Sequence, residues 1–149
     1  MIIDRILTSQ KKRLFGSKPI YEPYKKLDID SINEIQNQEN IIFPQELISW
    51  YLKAGFGDIN EVFSLRKEWL SIIDRGELKN HVIFAQDDLG NFFSFSQVNG
   101  EINYICRHEY VYALLATNFL DFLSNLEKQS FNLQEIIDNL DTASYDWGV

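Results

Sequence analysis

The chain is poor in the residues that carry chemistry: one cysteine, one methionine, two histidines and three prolines among 149 residues. The lone Cys106 excludes an internal disulfide and fits a reducing compartment, where it acts as a small buried hydrophobe. Two histidines and one cysteine cannot supply the roughly four spaced nitrogen and sulfur ligands of a zinc site, so no metal is expected. Gly55-Phe56-Gly57 lacks a third glycine and a preceding strand, so it is no phosphate-binding loop. No Gly-x-Ser-x-Gly elbow occurs, and no cofactor is expected. No apolar run approaches the ~18 residues of a membrane span. Met1-Ile2-Ile3, interrupted by Asp4 and Arg5, is too short for a signal peptide, so the chain is expected in the cytoplasm and away from membranes.

What is present is hydrophobic and aromatic: 45% of residues are apolar and 14% are aromatic, including 11 Phe and 7 Tyr. That length accommodates one core, and aromatic side chains suit half-buried strands, so a single mixed α and β domain is expected. The net charge of −8 is unevenly placed. Residues 1–27 hold seven basic side chains against two acidic ones, giving +5; residues 28–149 hold seven basic against twenty acidic, giving −13. This divides the chain into a basic N-terminal arm or lead-in, either exposed or packed over the body, and an acidic body. Such a body repels nucleic acid and attracts a basic protein; the same charge would also serve solubility alone.

Residues 15–28, with Gly16, Pro19 and Pro23, read as an irregular arm or an extended lead-in. Ser31-Ile-Asn-Glu34 reads as a capping box opening a short helix over 31–38 with a thin stripe of Ile32 and Ile35. Pro44 predicts the first position of a second helix, whose face is Leu47, Ile48, Tyr51 and Leu52, widened by Trp50 and Ala54 and ended by Gly55 and Gly57. Val62, Phe63 and Leu65 form an extended segment; 64–74 fits either a turn-rich lead or a helix. From Val82 the period becomes two. Val82–Ala85, a turn at Asp88-Leu-Gly90-Asn91, a strand Phe92–Val98, Asn99-Gly100 as a two-residue hairpin turn, and a returning strand Ile102–Cys106 follow in order. Phe93, Phe95, Ile102, Tyr104 and Cys106 then face the core, and Ser94, Ser96, Asn103 and Arg107 face away. Leu115, Phe119, Phe122, Leu123 and Leu126 predict a helix laid on the sheet. Leu133, Ile136, Ile137 and Leu140 predict a last helix, capped near Asn132, before an acidic tail from Asp141.

This order resembles the SUKH superfamily, the Smi/Knr-like fold, over roughly residues 30–127. Phe43-Pro44-Gln-Glu-Leu47 and Trp50-Tyr-Leu-Lys-Ala-Gly55 open and close one helix, Asp88-Leu-Gly-Asn-Phe-Phe-Ser-Phe95 and Gly100-Glu-Ile-Asn-Tyr104 make the strands, and Ala116-Thr-Asn-Phe-Leu-Asp-Phe-Leu123 opens the family's later helix. The resemblance implies an α+β single domain, a mainly antiparallel sheet with helices packed against it. It also implies a bacterial immunity protein that binds and neutralises a cognate polymorphic or contact-dependent toxin domain, such as a nuclease or deaminase. The alternative is a non-catalytic regulatory or scaffolding module, as in the yeast members.

Nothing else argues for catalysis. His108 and Glu109 are neighbours on a strand end and would point apart. Asp87-Asp88 resembles a metal or acid–base pair, but its place in a turn favours backbone hydrogen bonding, with a partner contact as the remaining use. The aromatic strands lack the basic frame of an RNA-binding sheet. Trp50 and Trp69 are expected in the core; Trp147 either covers the core edge or anchors a partner. No enzyme is expected. The contact surface is expected among exposed acids and one ring: Asp58, Glu61, Asp87, Asp88, Glu101, Glu109, Asp141, Asp146 and Trp147.

Overall fold

A nine-stranded antiparallel sheet organises the chain in a computed structural model, which describes residues 1–146. In sequence order the elements are α1 (Ile2–Thr8), β1 (Gln10–Lys12), β2 (Ser17–Pro19), β3 (Tyr21–Lys25), α2 (Ile29–Glu39), α3 (Gln45–Ala54), β4 (Phe56–Ile59) and β5 (Phe63–Leu65). A 3₁₀ turn (Lys67–Trp69) leads to β6 (Ser71–Ile72), β7 (Val82–Asp87), β8 (Phe92–Phe95), β9 (Ile102–Cys106), β10 (Val111–Ala116), α4 (Phe119–Lys128), α5 (Leu133–Asp138) and β11 (Ala143–Ser144). The sheet runs β11-β10-β9-β8-β7-β5-β4-β3, with β6 also on β7; β1 and β2 form a separate hairpin. The α+β architecture with an antiparallel sheet is as the sequence implies.

The helices cover one face. Helix α4 packs against α1, α3 and α5 and against β10. Its stripe of Phe119, Phe122, Leu123 and Leu126 is buried, as are Leu47, Trp50, Tyr51 and Ala54 of α3. Phe63 is the hub, with ring centroids 4.8 Å from Phe122 and 5.0 Å from Phe93. The strand residues expected on this side (Phe93, Phe95, Ile102, Tyr104 and Cys106) all join that core.

Several local expectations are corrected. Residues 1–27 are not simply an irregular arm: Ile2, Ile3 and Ile6 bury the inner stripe of α1, and β3 is an edge strand of the sheet. Helix α2 starts earlier than expected, because Asp28 rather than Ser31 is its cap and accepts from the Ser31 N–H at 2.8 Å. Pro44 stands at the N-cap, one position before the first turn, and Leu52 is exposed on the outer side of α3. Gly55 ends α3 at φ +67°, and a side chain there would meet the Lys25 carbonyl. Segment 64–74 takes the turn-rich alternative rather than the helix: it holds the end of β5, the 3₁₀ turn and β6. Strand β8 stops at Phe95, and Asn99-Gly100 is not a two-residue turn. Ser96 N–H donates to the Glu101 carbonyl and Gly100 N–H to the Ser96 carbonyl, enclosing the four residues 97–100, and only Gly100 of the pair has positive φ. Leu115 belongs to β10, not to the helix whose spacing it matches.

The opposite face is not solvent. Ser94, Ser96 and Asn103 are buried, and a small cluster of Ile73, Leu78, Ile105 and Tyr145 covers that side, with Ile83, Phe92 and Tyr112 packed on it. The tail makes this cover. β11 pairs with β10, and Tyr145 donates its hydroxyl to the Arg75 carbonyl at 2.5 Å.

Candidate partner-binding surface

Strand register decides which turns meet. The pairs Ile59–Phe63, Phe63–Asp87, Phe92–Ile105 and Cys106–Val111 place turns 60–62, 88–91 and 107–110 at one end of the sheet. The β1–β2 hairpin reaches the same end, because the chain enters β3 there: the Asn60 N–H donates to the Ile20 carbonyl at 2.7 Å. This end exposes Asp88, Leu89, Glu109 and Tyr110 from the turns, and Lys11, Lys12, Leu14 and Phe15 from the hairpin. Its charge runs from basic at the hairpin to acidic at Asp88, with Glu109 and Arg107 together on the last turn, where the Arg107 guanidinium lies over the Phe92 ring.

The acids expected to form a contact surface fall into three groups. Asp88 and Glu109 are exposed at this end and make no ion pair among the described residues. Asp58, Glu61 and Asp87 are already engaged. Asp58 pairs with Arg66 at 3.1 Å, and the Arg66 guanidinium also lies over the Tyr24 ring at 4.1 Å. Glu61 pairs with Arg13 at 3.6 Å and contacts Lys18. Asp87 is 8% exposed and is removed from the surface. Its carboxylate accepts from the backbone N–H groups of Leu89 (2.9 Å) and Asn91 (2.8 Å) and from the Asn91 side chain (2.8 Å), so it builds the turn. Of the remaining acids only Asp146 borders this end, since the N–H of the preceding Tyr145 donates to the Tyr110 carbonyl. Half-buried Glu101 sits at the other end of the sheet, near His81; Asp141 and Asp146 flank β11 and are exposed. Trp147 lies outside the described residues.

The rings and aliphatic groups beside these charges were not anticipated. Leu89 and Tyr110 are 62% and 51% exposed, Leu14 and Phe15 about nine-tenths. Their signal in the sequence is a large apolar residue next to a turn, which only a known fold separates from a core residue.

No described cleft gathers a reactive set. A cleft of about 550 Å³ beside β10 and α4 is lined by Leu114, Ala116, Asp121, Ser124 and Lys128, and Asp121 there contacts the Thr117 hydroxyl. A second, about 400 Å³, lies under the hairpin between Lys11, Ile20, Asn60, Glu127 and Phe131. Neither includes a histidine. No group of three or more His, Cys, Asp or Glu among the described residues is placed to hold a metal ion. No helix there is long and apolar enough to cross a membrane.

The fold defines a small α+β module, and the turn end of its sheet sets exposed Leu89 and Tyr110 beside Asp88 and Glu109. The family model for the SMI1/KNR4 family (SUKH-1) matches residues 26–125, and the chain belongs to that family. No curated protein and no solved structure gives a significant match. Membership in this family is consistent with an immunity-protein role.

Proposed function

We propose that this chain is a bacterial immunity protein that binds a cognate toxin domain with a basic surface, and blocks it by occupancy, without turnover, cofactor or metal. It acts in the cytoplasm, on a toxin such as a nuclease or deaminase. The observation that carries this reading is the turn end of the sheet. There Asp88 and Glu109, with no ion pair among the described residues, stand beside exposed Leu89 and Tyr110 on a body of charge −13. Complementary charge accelerates encounter and rejects wrong partners, while desolvated apolar side chains slow dissociation. Asp141 and Asp146 extend the negative field along the β11 edge.

The test is co-expression and titration with the C-terminal domain of the toxin encoded beside this chain. The wild-type chain is expected to rescue growth and co-purify with it. The Asp88→Lys/Glu109→Lys double variant is expected to bind at least about tenfold more weakly, chiefly through a slower on-rate, with a shallower salt dependence. An affinity unchanged by both variant and salt contradicts the electrostatic reading, and failure of the wild type to bind contradicts the toxin reading itself.

A further inference from the structure

The β1–β2 hairpin is built against what folding alone favours. Its tip carries Leu14 and Phe15, 92% and 89% exposed, as adjacent residues. Segment 10–19 holds Lys11, Lys12, Arg13 and Lys18 and no acid, in a chain of net charge −8. The register sets Lys11 directly opposite Lys18, a pairing of like charges that weakens a hairpin. Yet the hairpin is closed at both ends and tied to the body. Ile20 N–H donates to the Ser9 carbonyl at its base and Arg13 N–H to the Gly16 carbonyl at its tip, both at 3.0 Å, and Glu61, between β4 and β5, gathers Arg13 and Lys18.

The base of the hairpin is unusual in the same way. Four non-glycine residues there, Asn60, Glu61, Ser130 and Phe131, have φ between +50° and +62°. The two pairs touch: the Asn60 side-chain amide donates to the Phe131 carbonyl at 3.0 Å. Asn60 Oδ1, in the cleft under the hairpin, is buried without a hydrogen-bond partner among the described residues. Left-handed backbone and an unanswered buried acceptor are costs that collect where a surface is shaped for something else.

We propose that this hairpin is a docking prong, which inserts Leu14 and Phe15 into an apolar socket rimmed by carboxylates on the toxin domain. This rests on the toxin-binding reading above and adds a second contact of opposite charge to the one made by Asp88 and Glu109. The partner is then bipolar, matching the basic-to-acidic run along the turn end. The rim is acidic because Lys11 and Lys12 make no ion pair within the described chain and flank the tip. Arg13 and Lys18 are held by Glu61 and keep the prong upright. Nucleic acid fits less well. Two uncommitted cations would release few counterions, a salt slope of only about −1.8, and a leucine offers no face for a base to stack on. An anionic bilayer fits less well because the −13 body opposes approach to it.

The experiment titrates the full chain and its Leu14→Ser/Phe15→Ser variant against the neighbouring toxin domain by calorimetry, and sediments both with vesicles of phosphatidylcholine and phosphatidylglycerol. Because both side chains are exposed, the variant is expected to melt within about 2 °C of the wild type. Its affinity for the toxin domain is expected to fall about 30-fold or more, and Lys11→Glu/Lys12→Glu to weaken binding in the same direction. Phe15→Tyr is expected to bind as wild type does. Toxin binding that survives the double variant within about twofold overturns the prong while leaving the toxin reading intact. Absence of toxin binding by the wild type overturns both. Sedimentation with the anionic vesicles that the double variant loses assigns the hairpin to lipid and also overturns it.

Discussion

The two faces of the sheet are stabilised by different means. On the helix side the core is continuous and almost wholly aromatic and aliphatic: Trp50, Phe63, Phe84, Phe93, Phe95, Phe119 and Phe122 are each at most 1% exposed and touch ring to ring. On the other side four buried hydrophobic residues sit above polar ones: Ser94 and Asn103 are paired across β8 and β9 and covered by segment 73–80 and the tail. The first face is held by apolar area, which is non-directional and tolerant of detail. The second depends on a few hydrogen bonds that pin a loop and a short strand, so it opens more readily.

The largest expected effect breaks the first face. Phe63→Ala removes the ring that Phe84, Phe93, Phe119 and Phe122 surround, in a site with no exposed surface to collapse from. It should cost about 3–5 kcal/mol, read as a lower urea midpoint with the whole chain unfolding together.

A smaller effect isolates the second face. Tyr145→Phe keeps the edge-on contact with Tyr112, whose centroid is 5.5 Å away, and deletes the hydroxyl that donates to the Arg75 carbonyl. About 1 kcal/mol is expected. Its signature is local: amide exchange should quicken at Ile73, Asn80 and His81, which bond across segment 73–81, and stay unchanged in β8 and α4. Uniform acceleration across the molecule would show that the two faces are one cooperative unit.

The difference between the faces also explains what the sequence discloses. Alternating Phe93, Phe95, Ile102, Tyr104 and Cys106, and the α4 stripe, are legible because burial against one layer imposes a period. The other face carries Ser94 and Asn103, whose polar character hides that the face is covered, because the cover includes Tyr145, more than forty residues on. Strand β3, with Glu22, Pro23 and Lys25, has the composition of a guarded edge and so no period to detect. Helix α1 did leave a trace, since Ile2, Ile3 and Ile6 have helical spacing, but over two turns that is short. Leu115 shows the converse hazard: a strand residue four positions before Phe119 imitates a helical repeat. The candidate surface was legible as charge, not as place. Asp87 and Asp88 are adjacent and equally acidic, yet one closes the turn from inside and the other faces out.

Acid should act on the weaker face before the stronger. His81 lies in the segment that covers it, and burial lowers its imidazole pKa below the ordinary 6.5, with the charge of Glu101 opposing. The unfolded chain then takes up the proton first. Stability is full above about pH 6.5 and is lost as pH falls from there toward the folded-state value. A His81→Asn variant should flatten the dependence of the melting temperature on pH between about 5 and 7, and a slope unchanged by it would move the titration to another group.

The smallest expected effect is the most discriminating. Ser94 is fully buried between the faces, on the side that Ile83 and Asn103 adjoin in the register, and its hydroxyl has no hydrogen-bond partner among the described residues. A buried hydroxyl left unpaired has lost its water and gained nothing in exchange. Ser94→Ala should therefore leave stability within about 0.5 kcal/mol or raise it, where the same change at a paired buried hydroxyl would lower it. A loss of more than about 1 kcal/mol would mean that the hydroxyl is bonded in solution, and that polar bonding on the second face reaches under β8 as well as over it.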